Sequence, residues 1–140
     1  MIAQGTTGRL RPLALALFLL LGGCASLMPL RASLDDSVRD YQRLLRWNES
    51  TGAAAYVAGP LQTEYLQRIK PMEKVRIVEY DIKRVVLKEE TKKAEVTVEF
   101  KYYMLDSATV KSVVDTQKWE YEPDAKPSGW RLTSFPPEFR

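Results

Sequence analysis

The 140-residue sequence contains no histidine and a single cysteine, Cys24. Without histidine, the chain lacks the commonest general base and the commonest zinc ligand of proteins. One cysteine cannot form a disulfide within the chain, so the folded part must be stabilised by its apolar core. We therefore expect no metal site, no cofactor and no catalytic constellation, and a role other than that of an enzyme is favoured.

Long apolar runs are also scarce. The unbroken run from Leu13 to Leu21 has nine residues, whereas crossing a hydrocarbon core of about 30 Å takes roughly 20. Arg9 and Arg11 precede this run, two glycines follow it, and no acidic residue occurs before Asp35. A basic start, a short apolar stretch and small residues at its end are typical of a secretory signal. A membrane-spanning anchor is the less favoured alternative.

The signal ends in Leu21-Gly22-Gly23-Cys24, which resembles the lipobox of bacterial lipoproteins. The resemblance implies cleavage before Cys24, a diacylglyceryl group on its sulfur and an acylated amino terminus, and two or more acyl chains anchor a protein stably in a bilayer. The next residue is Ala25 and not aspartate. In a bacterium with two membranes, the resemblance to lipoproteins then implies the outer membrane and its periplasmic side. The alternative is an ordinary secretory signal that happens to carry a cysteine.

These assignments divide the chain into a signal peptide at 1–23, a lipidated cysteine with a short tether at 24–32, and a single domain at 33–140. The whole chain has 21 basic and 18 acidic residues. Removal of the two arginines in the signal leaves 19 basic residues against the same 18 acidic ones. Because the two signs are interleaved instead of clustered, we expect no nucleic-acid partner.

The period of the apolar residues changes once along the chain, at Pro71. Before it, the pattern predicts an amphipathic helix at 34–48 capped by Ser33, a short helix within 50–59, and a third helix from Pro60. After it, the period is two and predicts strands at about 73–88, 94–104, 109–122 and 130–132. Short turns join them into an antiparallel meander. The fold class is α+β, with about three N-terminal helices packed on a curved, cone-like, four-stranded antiparallel sheet.

The chain ends in Gln117-x-Trp119-x-Tyr121 followed by Gly129-Trp130-Arg131-Leu132. Paired aromatic strands after N-terminal helices resemble the nuclear transport factor 2-like fold, and a cystatin-like arrangement leaves a similar pattern. The resemblance implies helices packed in the hollow of a bent sheet. Members of that superfamily include ketosteroid isomerase-type enzymes as well as binding modules, so the fold does not choose a function.

Four side chains are candidates for lining a pocket in this hollow: Asp115, Gln117, Tyr102 and Tyr80. In an unbroken strand, counting back by twos from Trp119 points Asp115 inward, where a carboxylate would anchor a ligand or act as a base of raised pKa. The pattern favours two other interpretations. A β-bulge between Val114 and Trp119 would turn Asp115 to water, and a position at the open end of the cone would leave it hydrated. The tyrosines are favoured as packing residues.

The opposite face of the sheet is charged and forms a candidate docking face: Glu79, Asp81, Lys83, Glu95, Glu99 and Lys101. A solvated face is the favoured interpretation, although its breadth and the sheet edges suit a protein partner. The terminal SFPPEFR is favoured as a segment that packs on the domain, with a ligand for a partner as the alternative.

The function that we predict is that of a membrane-anchored periplasmic lipoprotein whose small domain is a non-catalytic binding or envelope-assembly module. Its partners are the lipid bilayer, through acylated Cys24, and an unknown protein. A homodimer formed through the sheet faces is compatible with this role. The alternative is a small-ligand-binding or isomerase-type hollow that uses Asp115, Gln117 and Tyr102.

Overall fold

The computed structural model describes residues 29–125 and 129–140, so the predicted signal, lipobox and Cys24 lie outside the described residues. The helices are α1 (Leu30–Arg46), α2 (Ser50–Ala54) and α3 (Gln62–Ile69), with 3₁₀ turns at Gly59–Leu61 and Lys70–Lys74. The strands are β1 (Val75–Lys88), β2 (Lys93–Met104), β3 (Lys111–Glu122) and β4 (Gly129–Leu132). They form one sheet in the order β1-β2-β3-β4 with antiparallel neighbours. The predicted α+β meander is confirmed.

Helix α1 forms because its apolar residues recur at helical spacing and give it one buried face: Leu34, Val38, Tyr41, Gln42, Leu44 and Leu45. The predicted cap at Ser33 is wrong, because the helix begins at Leu30 with Pro29 as its N-cap. The Ser33 hydroxyl lies inside the first turn, where it donates to the Leu30 carbonyl (2.9 Å) and accepts from the Trp130 indole N–H (3.1 Å). These contacts attach the start of α1 to strand β4.

The segment after α2 covers the outer edge of β4. Val57 forms a parallel bridge with Leu132. The Leu132 amide donates to the Tyr56 carbonyl at 2.7 Å, and the Ala58 amide donates to the Leu132 carbonyl at 3.0 Å. The short strand β4 is therefore paired on both sides, which removes one sheet edge from solvent.

Strand β1 departs from the simple alternation that its sequence predicts. Its pairing with β2 shifts register between Ile77 and Glu79 and again between Ile82 and Arg84. The first irregularity turns Val78 outward, where it is 45% exposed, whereas uninterrupted alternation would place it on the inner face with Tyr80. A bulge adds a residue to one strand only and bends it, and a long β1 can thus curve around the helices.

The hollow of the sheet is filled by the chain itself. The Trp119 indole packs edge-on against the Tyr41 ring of α1, with ring centroids 5.6 Å apart. At the other end of the sheet, the Phe139 ring of the C-terminal segment packs against Phe100 (5.9 Å) and Tyr102 (4.8 Å). The expectation that SFPPEFR packs on the domain is confirmed, and this segment occupies part of the concave side.

Candidate functional site

Asp115 and Gln117 point into the hollow. The pairing of β2 with β3 is unbroken and sets Asp115 opposite Val98 and Gln117 opposite Val96. Asp115 is 7% exposed, whereas its neighbour Val114 is 60% exposed on the outer face. The bulge that would have turned Asp115 to water is absent, because the even spacing of side chains along β3 continues from Trp119 without interruption.

A buried network of polar side chains surrounds these two residues. Gln42 of α1 donates from Nε2 to Gln117 Oε1 at 2.7 Å, and Gln117 Nε2 lies within hydrogen-bond distance of Gln42 Oε1 (3.2 Å) and Asp115 Oδ2 (3.0 Å). The Trp119 indole N–H also reaches Gln117 Oε1, at 3.3 Å. In the described part of the chain, every buried side-chain nitrogen and oxygen has a hydrogen-bond partner. The network therefore satisfies itself without a ligand.

Burial shifts the pKa values of the ionisable groups in and around this network. It raises the pKa of Asp115 to about 6, against an opposing hydrogen bond from Gln117. Nearby, the hydroxyls of Tyr41 and Tyr65 bond to each other at 2.8 Å, and burial raises the pKa of both, with the Asp115 charge adding to the effect. With its pKa raised in this way, Asp115 could accept a proton from a molecule that reached it.

Tyr102 and Tyr80 lie apart from Asp115. Tyr102 pairs with Lys111, four residues along β3 from Asp115, which is roughly 14 Å at 3.4 Å per residue. Its hydroxyl donates to the Arg140 carbonyl (2.8 Å) and accepts from the Arg140 amide (3.1 Å). Tyr80 is half-buried on β1, two strands away from Asp115. The structure joins Asp115 with Gln117 and does not bring the tyrosines to them.

The candidate docking face is held by its own ion pairs. Lys101 Nζ lies 3.0 Å from Glu79, and Lys83 Nζ lies 2.7 Å from Asp81 and 2.9 Å from Glu99. The hydrogen bond from Lys83 lowers the pKa of Glu99. Exposed pairs of this kind contribute little to stability. Both lysines of the face are thus paired within it, and its four carboxylates leave it with an excess of negative charge.

Among the concavities that the described residues form at the surface, two lie outside the hollow. One, of about 670 Å³, lies at the end of the sheet where β1 turns into β2 and includes Glu95 of the candidate docking face. The other, of about 510 Å³, is hereafter the Trp47 groove, and it is lined by Arg46, Trp47, Asn48, Arg76, Ile77, Val78 and Tyr103.

The Trp47 groove is built by two local irregularities. Helix α1 ends at Arg46, and Asn48 takes a left-handed backbone (φ 56°), which asparagine tolerates better than most residues. The Asn48 side-chain amide donates to the Val75 carbonyl at 3.1 Å and holds this turn against β1. Trp47 is left 67% exposed beside Val78, which the bulge in β1 turns outward.

Sequence patterns missed Gln42 and Trp47, although each left a signal. Gln42 lies four residues after Val38 and therefore falls on the buried face of α1, where a polar side chain needs a polar partner. Trp47 lies four residues after Arg43 and seven after Asp40, which places a large aromatic on the charged side of the helix.

The described residues also bear on metal sites and on membrane-spanning helices. Among residues 29–125 and 129–140, no group of three or more His, Cys, Asp or Glu side chains is placed to hold a metal ion. In the same part of the chain, none of the helices has the length and apolarity needed to cross a membrane.

One solved structure supports the architecture. The chain is similar in fold to a ketosteroid isomerase-like protein from Erwinia carotovora atroseptica SCRI1043, with a TM-score of 0.51 and 13% identity over 72% of this chain and 88% of that one. A protein of unknown function with a cystatin-like fold from Methylobium petroleophilum PM1 aligns with a TM-score of 0.45 and 12% identity over 78% and 80% of the two chains. No family model and no curated protein matches the sequence. At such identities the first likeness establishes the fold alone.

Proposed function

We propose that the chain is a lipid-anchored lipoprotein of the bacterial envelope whose folded domain binds a partner protein without catalysing a reaction. The observation that carries the binding role is the filled hollow. The Gln42–Gln117–Asp115 network bonds to itself, and the C-terminal Phe139 and Arg140 occupy the surroundings of Tyr102. Binding is therefore assigned to the outer surface.

The lipid anchor is assigned to Cys24 on the basis of the Leu21-Gly22-Gly23-Cys24 motif. Five residues separate Cys24 from the first residue of α1, Leu30. Fully extended, they reach about 20 Å. The domain is therefore held next to the bilayer surface, on the periplasmic side of the outer membrane if the bacterium has two membranes.

The anchor is tested by expressing the full chain with radiolabelled palmitate and separating membranes from soluble proteins. Cys24→Ala is expected to lose the label and leave the membrane fraction, because the sulfur that carries the lipid is gone. Ser26→Ala, a neighbouring small-residue change, is the matched control and should retain both. Unchanged labelling and membrane attachment of Cys24→Ala would rule out the lipid anchor.

The binding role is tested in living cells with a photoreactive amino acid placed at exposed positions, among them Trp47, Val78 and Val114. A binding module should form cross-links to the same envelope protein from a continuous set of positions. An exposed position of α3, Gln67, serves as the control. Cross-links absent at every position, or equally frequent at Gln67, would contradict a specific partner.

A further inference from the structure

The Trp47 groove combines exposed apolar side chains with arginines that lack an acidic counterpart. Two of its seven lining residues are arginines, Arg46 and Arg76, and none is acidic. In the described residues neither arginine takes part in an ion pair, in contrast to Lys83 and Lys101 on the sheet face. The groove thus has positive charge available for a partner, which the sheet face does not.

Both arginines are held in place while retaining free donors. Arg76 Nη1 donates to the backbone carbonyls of Glu73 (3.2 Å) and Val75 (2.9 Å). The Arg46 guanidinium lies 5.9 Å from the centre of the Trp47 ring, within the range of a cation–π contact. A guanidinium has five N–H donors in a fixed plane, so each arginine can still form a paired hydrogen bond with a carboxylate.

The composition of the groove is that of a protein-binding site. Tryptophan, tyrosine and arginine are the residues that contribute most often to the affinity of protein interfaces, and Trp47, Tyr103, Arg46 and Arg76 line this groove. Val78 adds an apolar surface that is exposed only because of the bulge in β1. Bulges often reorient a side chain next to a functional site.

The position of the groove argues against the membrane surface as its ligand. It lies at the C-terminal end of α1, whereas the proposed anchor precedes the N-terminal end. The 17 residues of α1 separate the two ends by about 25 Å at 1.5 Å per residue. With the anchor at the N-terminal end, an upright α1 sets the groove apart from the anionic headgroups of the anchoring bilayer.

We propose that the Trp47 groove binds an acidic peptide segment of a partner protein. Carboxylates of this segment pair with Arg46 and Arg76, and an apolar side chain between them packs on Trp47 and Val78. This inference rests on the proposed binding role and specifies its site and the chemistry of its partner.

The test uses the full chain in detergent micelles and a fluorescein-labelled heptapeptide in which two glutamates flank a leucine. The same peptide with glutamines in place of the glutamates reports the contribution of charge. Fluorescence anisotropy should give saturable binding of the acidic peptide, about tenfold tighter than that of the glutamine peptide, and weaker binding at high salt.

Two variants locate the binding. Arg46→Glu should weaken binding of the acidic peptide by about tenfold. Arg39→Glu makes the same change two turns earlier, on an exposed position of α1, and should alter the affinity less than twofold. Trp47→Ala keeps every charge and should weaken the binding of both peptides. Circular dichroism verifies that each variant is folded. Equal binding of the two peptides, or equal effects of Arg39→Glu and Arg46→Glu, would overturn the proposal.

Other occupants of the groove give different results. If the chain binds phosphatidylglycerol vesicles, Arg46→Glu abolishes this binding and no saturable peptide binding is seen, the ligand of the groove is a lipid headgroup instead of a peptide. A dimer in light scattering that Arg46→Glu dissociates would replace it by a second copy of the chain. Cellular cross-links at Val114 and none at Trp47 would refute the groove while leaving the binding role intact.

Discussion

Asp115 is a carboxyl group whose ionised form is disfavoured by its surroundings. Burial raises its pKa from 3.8 to about 6. The folded state therefore binds a proton more tightly than the unfolded chain, and stability is highest below the unfolded pKa and falls as the pH rises through 6. Two pKa units correspond to about 3 kcal/mol between the two protonation states.

The first prediction concerns Asp115→Asn, which removes the ionisable group while keeping an oxygen that can accept from Gln117. At pH 7.5 the variant is expected to be more stable than the parent domain by about 3 kcal/mol, and at pH 4 by less than about 1 kcal/mol. Urea unfolding of residues 29–140, followed by tryptophan fluorescence at both pH values, measures this difference. A constant difference across this range would show that Asp115 does not titrate there.

Gln42 is the residue of α1 that satisfies Gln117. Gln42→Leu should destabilise the domain by about 1–3 kcal/mol, because the buried Gln117 amide loses a partner that leucine cannot replace. Gln67→Leu, the same change on an exposed position of α3, is the control and should lie within about 0.5 kcal/mol of the parent. Equal stabilities of the two variants in urea unfolding would contradict the network.

At the scale of elements, the C-terminal segment is the part that closes the hollow. Phe139 is half-buried and touches the rings of Phe100 and Tyr102. Phe139→Ala should destabilise the domain by about 1–3 kcal/mol and expose apolar surface that binds a hydrophobic dye. Glu138→Ala, at an exposed neighbouring position, should do neither. A Phe139→Ala domain of parental stability that binds no dye would show that the hollow does not depend on this segment.

The elements were predictable where one physical pattern acts alone. Strands β2 and β3 alternate without interruption, and their registers follow the alternation. Strand β1 could not be predicted in detail. Val78 and Lys83 are each unpaired at a bulge, and nothing in the residue types marks where the bulge occurs, although it moves the residues beyond it to the opposite face of the sheet. The start of α1 depends on the contact of Trp130 with Ser33, which joins residues 97 positions apart.

The candidate site was predictable only where it depends on the alternation of a single strand. The spacing from Trp119 allowed Asp115 and Gln117 to point inward, but the favoured interpretations left Asp115 in water and were wrong, because the partner that makes its burial tolerable, Gln42, comes from a distant helix. The Trp47 groove combines a helix end, a bulge and β2, so no local stretch of sequence contains it. Long-range packing decides both sites.

At the scale of the whole molecule, the domain has two ends that differ in their proposed surroundings. Leu30 and Trp130 lie at one end, joined by a hydrogen bond of 3.3 Å from the indole N–H to the carbonyl. Trp47 lies at the other end of α1, about 25 Å away along its axis. If Cys24 anchors the chain, the first end is the one attached nearest to the bilayer, and we expect the Trp47 groove to lie away from it.

The three tryptophans allow this orientation to be measured, because Trp119 and Trp130 are buried and Trp47 is 67% exposed. In liposomes that carry the lipidated chain, the difference in fluorescence between the parent and Trp47→Phe isolates the signal of Trp47. Iodide in the aqueous phase should quench this difference, whereas bromine atoms on the lipid chains should not, since quenching by bromine requires near contact. Quenching by the brominated lipids would mean that the groove lies on the bilayer, and the acidic partner segment would then have no access to Arg46 and Arg76.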